Sequence, residues 1–89
     1  MSTTERKFAI VTGASSGIGY HLARLCAEHG YDLLIAADQP EIQRAAQDFR
    51  ALGAQVDAIE LDLATIEGVD RLYAEAHGRP VDALLANAG

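Results

Sequence analysis

Four short strand-like segments separated by longer helical patterns constrain this chain more than any other feature. They are the apolar runs Phe8–Val11, Leu33–Ala37 and Val81–Ala86, and a third strand over Gln55–Leu61. Phe8–Val11 is too short for a helix and continuous enough to be a strand buried on both faces. Residues 18–29 read as a helix with Ile18, Leu22, Leu25 and Cys26 on one face and Gly30 as a left-handed terminator. Asp38-Gln-Pro-Glu41 reads as the start of a second helix, with Pro40 in its first turn. Its Ile42, Ala45, Ala46, Phe49 and Leu52 recur at i, i+3, i+4, i+7 and i+10, the clearest amphipathic pattern in the chain, and Gly53 ends it. Residues 66–77 read as a third helix with Ile66, Val69, Leu72, Tyr73 and Ala76 inward, stopped by His77-Gly-Arg-Pro80.

The order β-α-β-α-β-α-β predicts one α/β unit over residues 1–89. Its strands should be parallel, joined by right-handed crossovers, with helices on both faces. The Rossmann-like version of this fold has strand order 3-2-1-4, here as an apparently truncated doubly wound sheet. Ligands of such sheets sit beyond the carboxyl ends of the strands, where the order reverses. The first and fourth strands lead there into the two most turn-like glycine segments, Thr12–Gly19 and Asn87-Ala-Gly89.

Gly13-x-x-x-Gly17-x-Gly19 follows a strand and opens a helix. Glycine suits a backbone that must turn tightly or approach a pyrophosphate, and the helix start offers free N–H groups and a positive dipole end. Ser15 and Ser16 add hydroxyls. No Walker lysine follows, which excludes an ATP-cleaving P-loop. A glycine turn with no ligand is the bland alternative.

Composition removes several other classes. The formal charge is −6, with 13 acids against 7 bases, which argues against a phosphate-neutralising nucleic-acid surface. A single cysteine, Cys26, excludes an intramolecular disulfide and a thiolate metal cluster, and the histidines lack metal-ligand spacing. Cys26 shares a helical face with Leu22 and reads as an inert packed thiol. No run of 18 apolar residues is present, so no membrane partner is expected. The polar start carries no signal-peptide core, and a free thiol fits the cytoplasm.

Thr12-Gly-Ala-Ser-Ser-Gly-Ile-Gly19 resembles the cofactor loop of the short-chain dehydrogenase/reductase family. Asp62-Leu63 after the third strand and Asn87-Ala-Gly89 after the fourth resemble further motifs of that family, and the likeness covers essentially the whole chain. The resemblance implies the cofactor-binding half of an oxidoreductase that moves a hydride between a nicotinamide cofactor and an alcohol or ketone. It assigns Gly13, Gly17 and Gly19 to the tight loop, and Ser15, Ser16 and Ile18 to the phosphates and adenosine ribose. Asp62 would accept from the adenine amino group with the Leu63 backbone beside it. Asn87, Ala88 and Gly89 would steady the central sheet and line the ribose. Asp62 as a plain turn residue and Asn87 as a purely structural one remain open.

Asp38 lies nineteen residues past Gly19, near the ~20-residue offset of a ribose-binding acid. The resemblance places the family's usual NAD-selecting Asp at Ala37 and puts Asp38 where NADP-preferring members tend to carry Arg. Ser16 stands where a basic residue often marks NADP preference. NAD is therefore expected over NADP, with a helix-capping Asp38 as the alternative.

The family's catalytic Ser and its Tyr-x-x-x-Lys pair have no counterpart in this chain. Lys7 is the only lysine and precedes the first strand, and Tyr20-x-x-x-Arg24 and Tyr73-x-x-x-His77 read as packing or surface pairs. No residue is therefore assigned as catalytic, and a non-catalytic dinucleotide-binding or interaction module is the rival reading. The fourth segment would form a sheet edge guarded only by Asp82, so self-association through that edge, a homo-oligomer, is expected.

Overall fold

A computed structural model describes residues 7–15, 17–61, 66–76 and 78–85, the side chains of Ile66 and Val69 apart. Its elements alternate as β1 (Phe8–Thr12), α1 (Gly17–Glu28), β2 (Asp32–Ala37), α2 (Glu41–Arg50), β3 (Val56–Glu60), α3 (Ile66–Glu75) and β4 (Ala83–Leu85). The strands form one parallel sheet in the order β3-β2-β1-β4. Alternation and topology are those expected from the sequence.

β1 and β2 are the central strands, and every residue in them is buried. Their side chains divide by parity, as successive residues of a strand must. Ala9, Val11, Leu33, Ile35 and Ala37 face one core, which α1 and α2 close with Ala23, Ala27, Ile42, Ala45, Ala46 and Phe49. Phe8, Ile10, Leu34 and Ala36 face the other, closed by Leu72 of α3 and Ala76 just after it. The edge strand β3 places Asp57 and Glu60 in solvent, charges that oppose pairing with a further strand.

α1 corrects the expected packing. Its buried residues are Gly19, Ala23 and Ala27, whereas Ile18 is 71% and Leu25 50% exposed, and Leu22 and Cys26 are half-buried. Small residues let the helix lie close against β1 and β2, and that approach, not side-chain size, selects the inward face. Tyr73 on α3, expected inward, is 57% exposed, and Leu52 lies beyond the end of α2 and is exposed too. α1 closes with paired bonds from Tyr31 N–H to the Cys26 carbonyl (3.0 Å) and from Gly30 N–H to the Ala27 carbonyl (3.2 Å), the Schellman arrangement.

The start of α2 also differs. Pro40 itself is the N-cap and no side chain caps the helix, so Asp38 is not its capping residue. The Gln39 carbonyl instead accepts the Ile42 N–H at 3.2 Å.

β4 starts two residues later than the run Val81–Ala86, and Asp82 is not simply an edge guard. Its carboxylate accepts the Phe8 N–H at 2.8 Å while its own N–H donates to the Phe8 carbonyl at 2.8 Å. Asp82 therefore anchors the amino end of β4 to β1. Leu84 is half-exposed on this strand. Among the described residues, no helix is long and apolar enough to cross a membrane.

A second polar anchor lies beside it. The Asp32 side chain is only 6% exposed and accepts from Arg79 Nη2 at 3.0 Å and from the Gln55 N–H at 3.3 Å. The Arg79 guanidinium also sits 4.5 Å from the centre of the Phe8 ring. The pair joins the segment before β4 to the start of β2. Asp32→Ala should lower unfolding free energy by about 2–3 kcal/mol, because it removes the acceptor of the Gln55 N–H and the buried end of the ion pair with Arg79. Arg79→Ala should lose about 2–3 kcal/mol as well, because the Asp32 carboxylate stays buried after this cation is removed. Urea unfolding followed by circular dichroism checks both, and a loss below about 0.5 kcal/mol for Asp32→Ala contradicts the anchor.

Candidate functional site

β1 ends at Thr12, and the chain turns over the carboxyl ends of the two central strands. Gly13 adopts φ +65° and donates its N–H to the Ala36 carbonyl at 2.8 Å, with the Ala14 N–H reaching the same oxygen at 3.5 Å. The loop is therefore held on β2 as well as on β1. Ala14 is buried, and this tucks the loop against the core below it.

Gly17, the first residue of α1, adopts φ +64°, and a Cβ built on it would meet nothing within 4 Å. A left-handed glycine beside open space at a helix start leaves room for a ligand to reach the backbone. The first N–H groups of a helix have no partner within it and form the positive end of its dipole. No acidic side chain stands in the first turn of α1 to oppose an anion there. Gly19 is buried, and Ile18 projects into solvent at the same helix start.

Asp38 follows the last residue of β2 and is exposed. Gln39 follows it, and its amide oxygen accepts the Ser15 hydroxyl at 3.3 Å. The structure thus brings Gly13, Ser15, Gly17, Ile18, Gly19 and Asp38 to the same end of the sheet, on the loops after β1 and β2. Gln39 joins them and was not singled out from the sequence, where only its place before Pro40 marks it. Ser16, Asp62, Leu63, Asn87, Ala88 and Gly89, also expected at the site, lie outside the described residues.

The other reactive side chains serve packing. The Tyr20 hydroxyl donates to the Asp48 carboxylate at 2.8 Å, and its ring lies 5.1 Å from that of Phe49. The Asp48 hydrogen bond, then partial burial and the Asp48 charge, hold the phenol above its ordinary pKa against the opposing pull of Arg24 and Arg44. Burial pushes the Cys26 thiol up, the direction of an unreactive cysteine. An open cavity of about 230 Å³ on the seam between α1 and α2 is lined by Tyr20, Arg24, Asp48, Phe49, Ala51 and Leu52 and includes none of the loop residues.

Comparison with known proteins agrees with this geometry. A family model described as short chain dehydrogenase matches residues 7–89. An uncharacterized oxidoreductase of Myxococcus xanthus is 38% identical over all of this chain and 36% of its own length. The 1,6-dihydroxycyclohexa-2,4-diene-1-carboxylate dehydrogenase of Acinetobacter baylyi is also 38% identical, over all of this chain and 36% of its own length. Among solved structures, the L-sorbose reductase of Gluconobacter frateurii complexed with NADPH and L-sorbose superposes with a TM-score of 0.89 at 34% identity, covering 94% of this chain and 34% of that one. The 3-oxoacyl-[acyl-carrier protein] reductase of Brucella melitensis in complex with NAD gives 0.85 at 31% identity, covering 98% and 35%. The chain spans about a third of the length of the relatives it matches.

Proposed function

The chain belongs to the short-chain dehydrogenase family, and from that premise we propose that it is the dinucleotide-binding part of an oxidoreductase acting between a nicotinamide cofactor and an alcohol or ketone. The observation that carries this reading is the β1–α1 loop, with left-handed Gly13 and Gly17 opening a helix start beside empty space. These residues fit a pyrophosphate, because backbone donors and a positive helix end need no further charge to hold it. Gly13, Ser15, Ser16, Gly17, Ile18 and Gly19 would hold the phosphates and adenosine ribose. The family resemblance adds Asp62 and Leu63 at the adenine, and Asn87, Ala88 and Gly89 along the ribose. The nicotinamide, when bound, supplies the hydride chemistry.

Asp38 favours NAD. A carboxylate at the end of β2 accepts from a ribose 2′-hydroxyl and repels a 2′-phosphate. At short range this repulsion is worth about 1–4 kcal/mol, and NAD should bind at least about fivefold more tightly than NADP. Calorimetric titration with each cofactor checks this, and tighter NADP binding overturns it. Asp38→Ser should narrow the difference.

The 89-residue chain by itself should not transfer hydride. Its only lysine is Lys7, just before β1, so no Tyr-x-x-x-Lys pair exists to move the substrate proton. Its own contribution is to bind and orient. NADH formation with a panel of alcohols, followed by absorbance on protein of verified mass, is the check. Turnover by that protein contradicts the reading.

A further inference from the structure

We propose that Gln39 is a positioning residue that holds Ser15 of the glycine-rich loop, and that it does so in both the free and the nucleotide-bound protein. This inference rests on the dinucleotide reading above. In the structure the Ser15 hydroxyl donates to the Gln39 amide oxygen at 3.3 Å, across 24 positions of sequence. The contact joins the loop after β1 to the turn after β2, the two segments that meet at this end of the sheet.

Backbone contacts hold the residues beside both partners. Gln39 precedes Pro40, which restricts its conformation, and its carbonyl accepts the Ile42 N–H at 3.2 Å in the first turn of α2. On the other side, the bonds from Gly13 and Ala14 N–H to the Ala36 carbonyl end one residue short of Ser15, and Ala14 is buried. A contact between two anchored segments orders the side chains it joins at little entropic cost.

The chemistry of a primary amide gives this contact a second use. A serine hydroxyl has one proton. While Ser15 donates to Gln39 it cannot donate to a phosphate. A half-turn of the amide presents its NH2 group instead, which donates to the Ser15 oxygen and frees the hydroxyl proton for a phosphate oxygen. Glutamine can hold Ser15 in both arrangements. Glutamate can hold it only in the first, and leucine in neither.

The test compares wild type, Gln39→Leu, Gln39→Glu, Ser15→Ala and both double variants in the full 89-residue chain. Amide hydrogen exchange at Ala14 and Ser15 reads loop order in the free protein, and calorimetry with ADP-ribose reads binding. Gln39→Leu should speed loop exchange about threefold and weaken ADP-ribose binding by about three- to tenfold, with no further loss when combined with Ser15→Ala. Gln39→Glu should keep loop exchange near wild type yet weaken binding, and more so with Ser15 present than in the Ser15→Ala background, where only its charge acts. A purely structural role does not separate the two readouts in this way. Unchanged exchange and binding in Gln39→Leu overturn the proposal, as do strictly additive losses. If wild type binds no ADP-ribose, the dinucleotide reading falls with the bound-state role. Loop exchange then decides the free-state contact alone, and unchanged rates in Gln39→Leu overturn it.

Discussion

Replacing Phe49 with alanine is expected to remove about 3–5 kcal/mol of stability, the largest single effect in this chain. Phe49 is fully buried, is the largest of the completely enclosed side chains, and joins α2 to the strands of the central sheet. Its ring also packs against Tyr20 on α1 at 5.1 Å, so truncation opens a void between both helices and the sheet. At about 0.05–0.15 kcal/mol per residue, 89 residues account for on the order of 4–13 kcal/mol. Phe49→Ala should therefore bring the protein close to its unfolding midpoint or lower its melting temperature by well over about 10 °C. Phe49→Leu keeps most of the volume and should lose about 1 kcal/mol. Urea and thermal unfolding by circular dichroism measure both. A loss below about 1.5 kcal/mol for the alanine variant means that α2 collapses onto the sheet and closes the void.

The second large effect falls on binding. Gly17→Val should weaken ADP-ribose binding more than about thirtyfold, while stability falls by only about 1–2 kcal/mol. Gly17 lies at φ +64°, a conformation that a β-branched residue adopts only under strain. Nothing stands within 4 Å of the added Cβ, so the stability loss comes from the backbone and not from a collision. Relief of the strain turns the start of α1 away from its path, and the branched side chain fills the space through which a phosphate would approach. Calorimetry and urea unfolding of the same preparation separate the two losses. ADP-ribose affinity within twofold of wild type would remove the β1–α1 loop from the proposed site.

The glycine loop of the candidate site was legible because it is local. The left-handed turns at Gly13 and Gly17 are demands of a strand-to-helix connection only a few residues long. Asp38 was marked by its offset of nineteen residues from Gly19, the spacing of one crossover from β1 to the end of β2. Gln39 was not. What brings it to Ser15 is the pairing of β1 with β2 and the direction in which the two following loops leave the sheet, which no window of sequence contains.

The sequence by itself determined the order of elements, the parallel sheet and the glycine loop between β1 and α1. These follow from local periodicity, from turn chemistry and from the crossovers that such an alternation requires, whereas the 3-2-1-4 order was expected from likeness to the Rossmann-like fold and is the order the sheet has. Tertiary structure alone decided which face of α1 is buried. Periodicity marked the larger apolar residues Ile18 and Leu25, but the close approach of helix to sheet selected Gly19, Ala23 and Ala27. It also decided the polar contacts that anchor the sheet at its other end. Asp32 and Arg79 stand 47 residues apart, and Phe8 and Asp82 stand 74 apart. Partners so distant meet only when the strands that carry them have paired, since their attraction through water is too weak to assemble the chain.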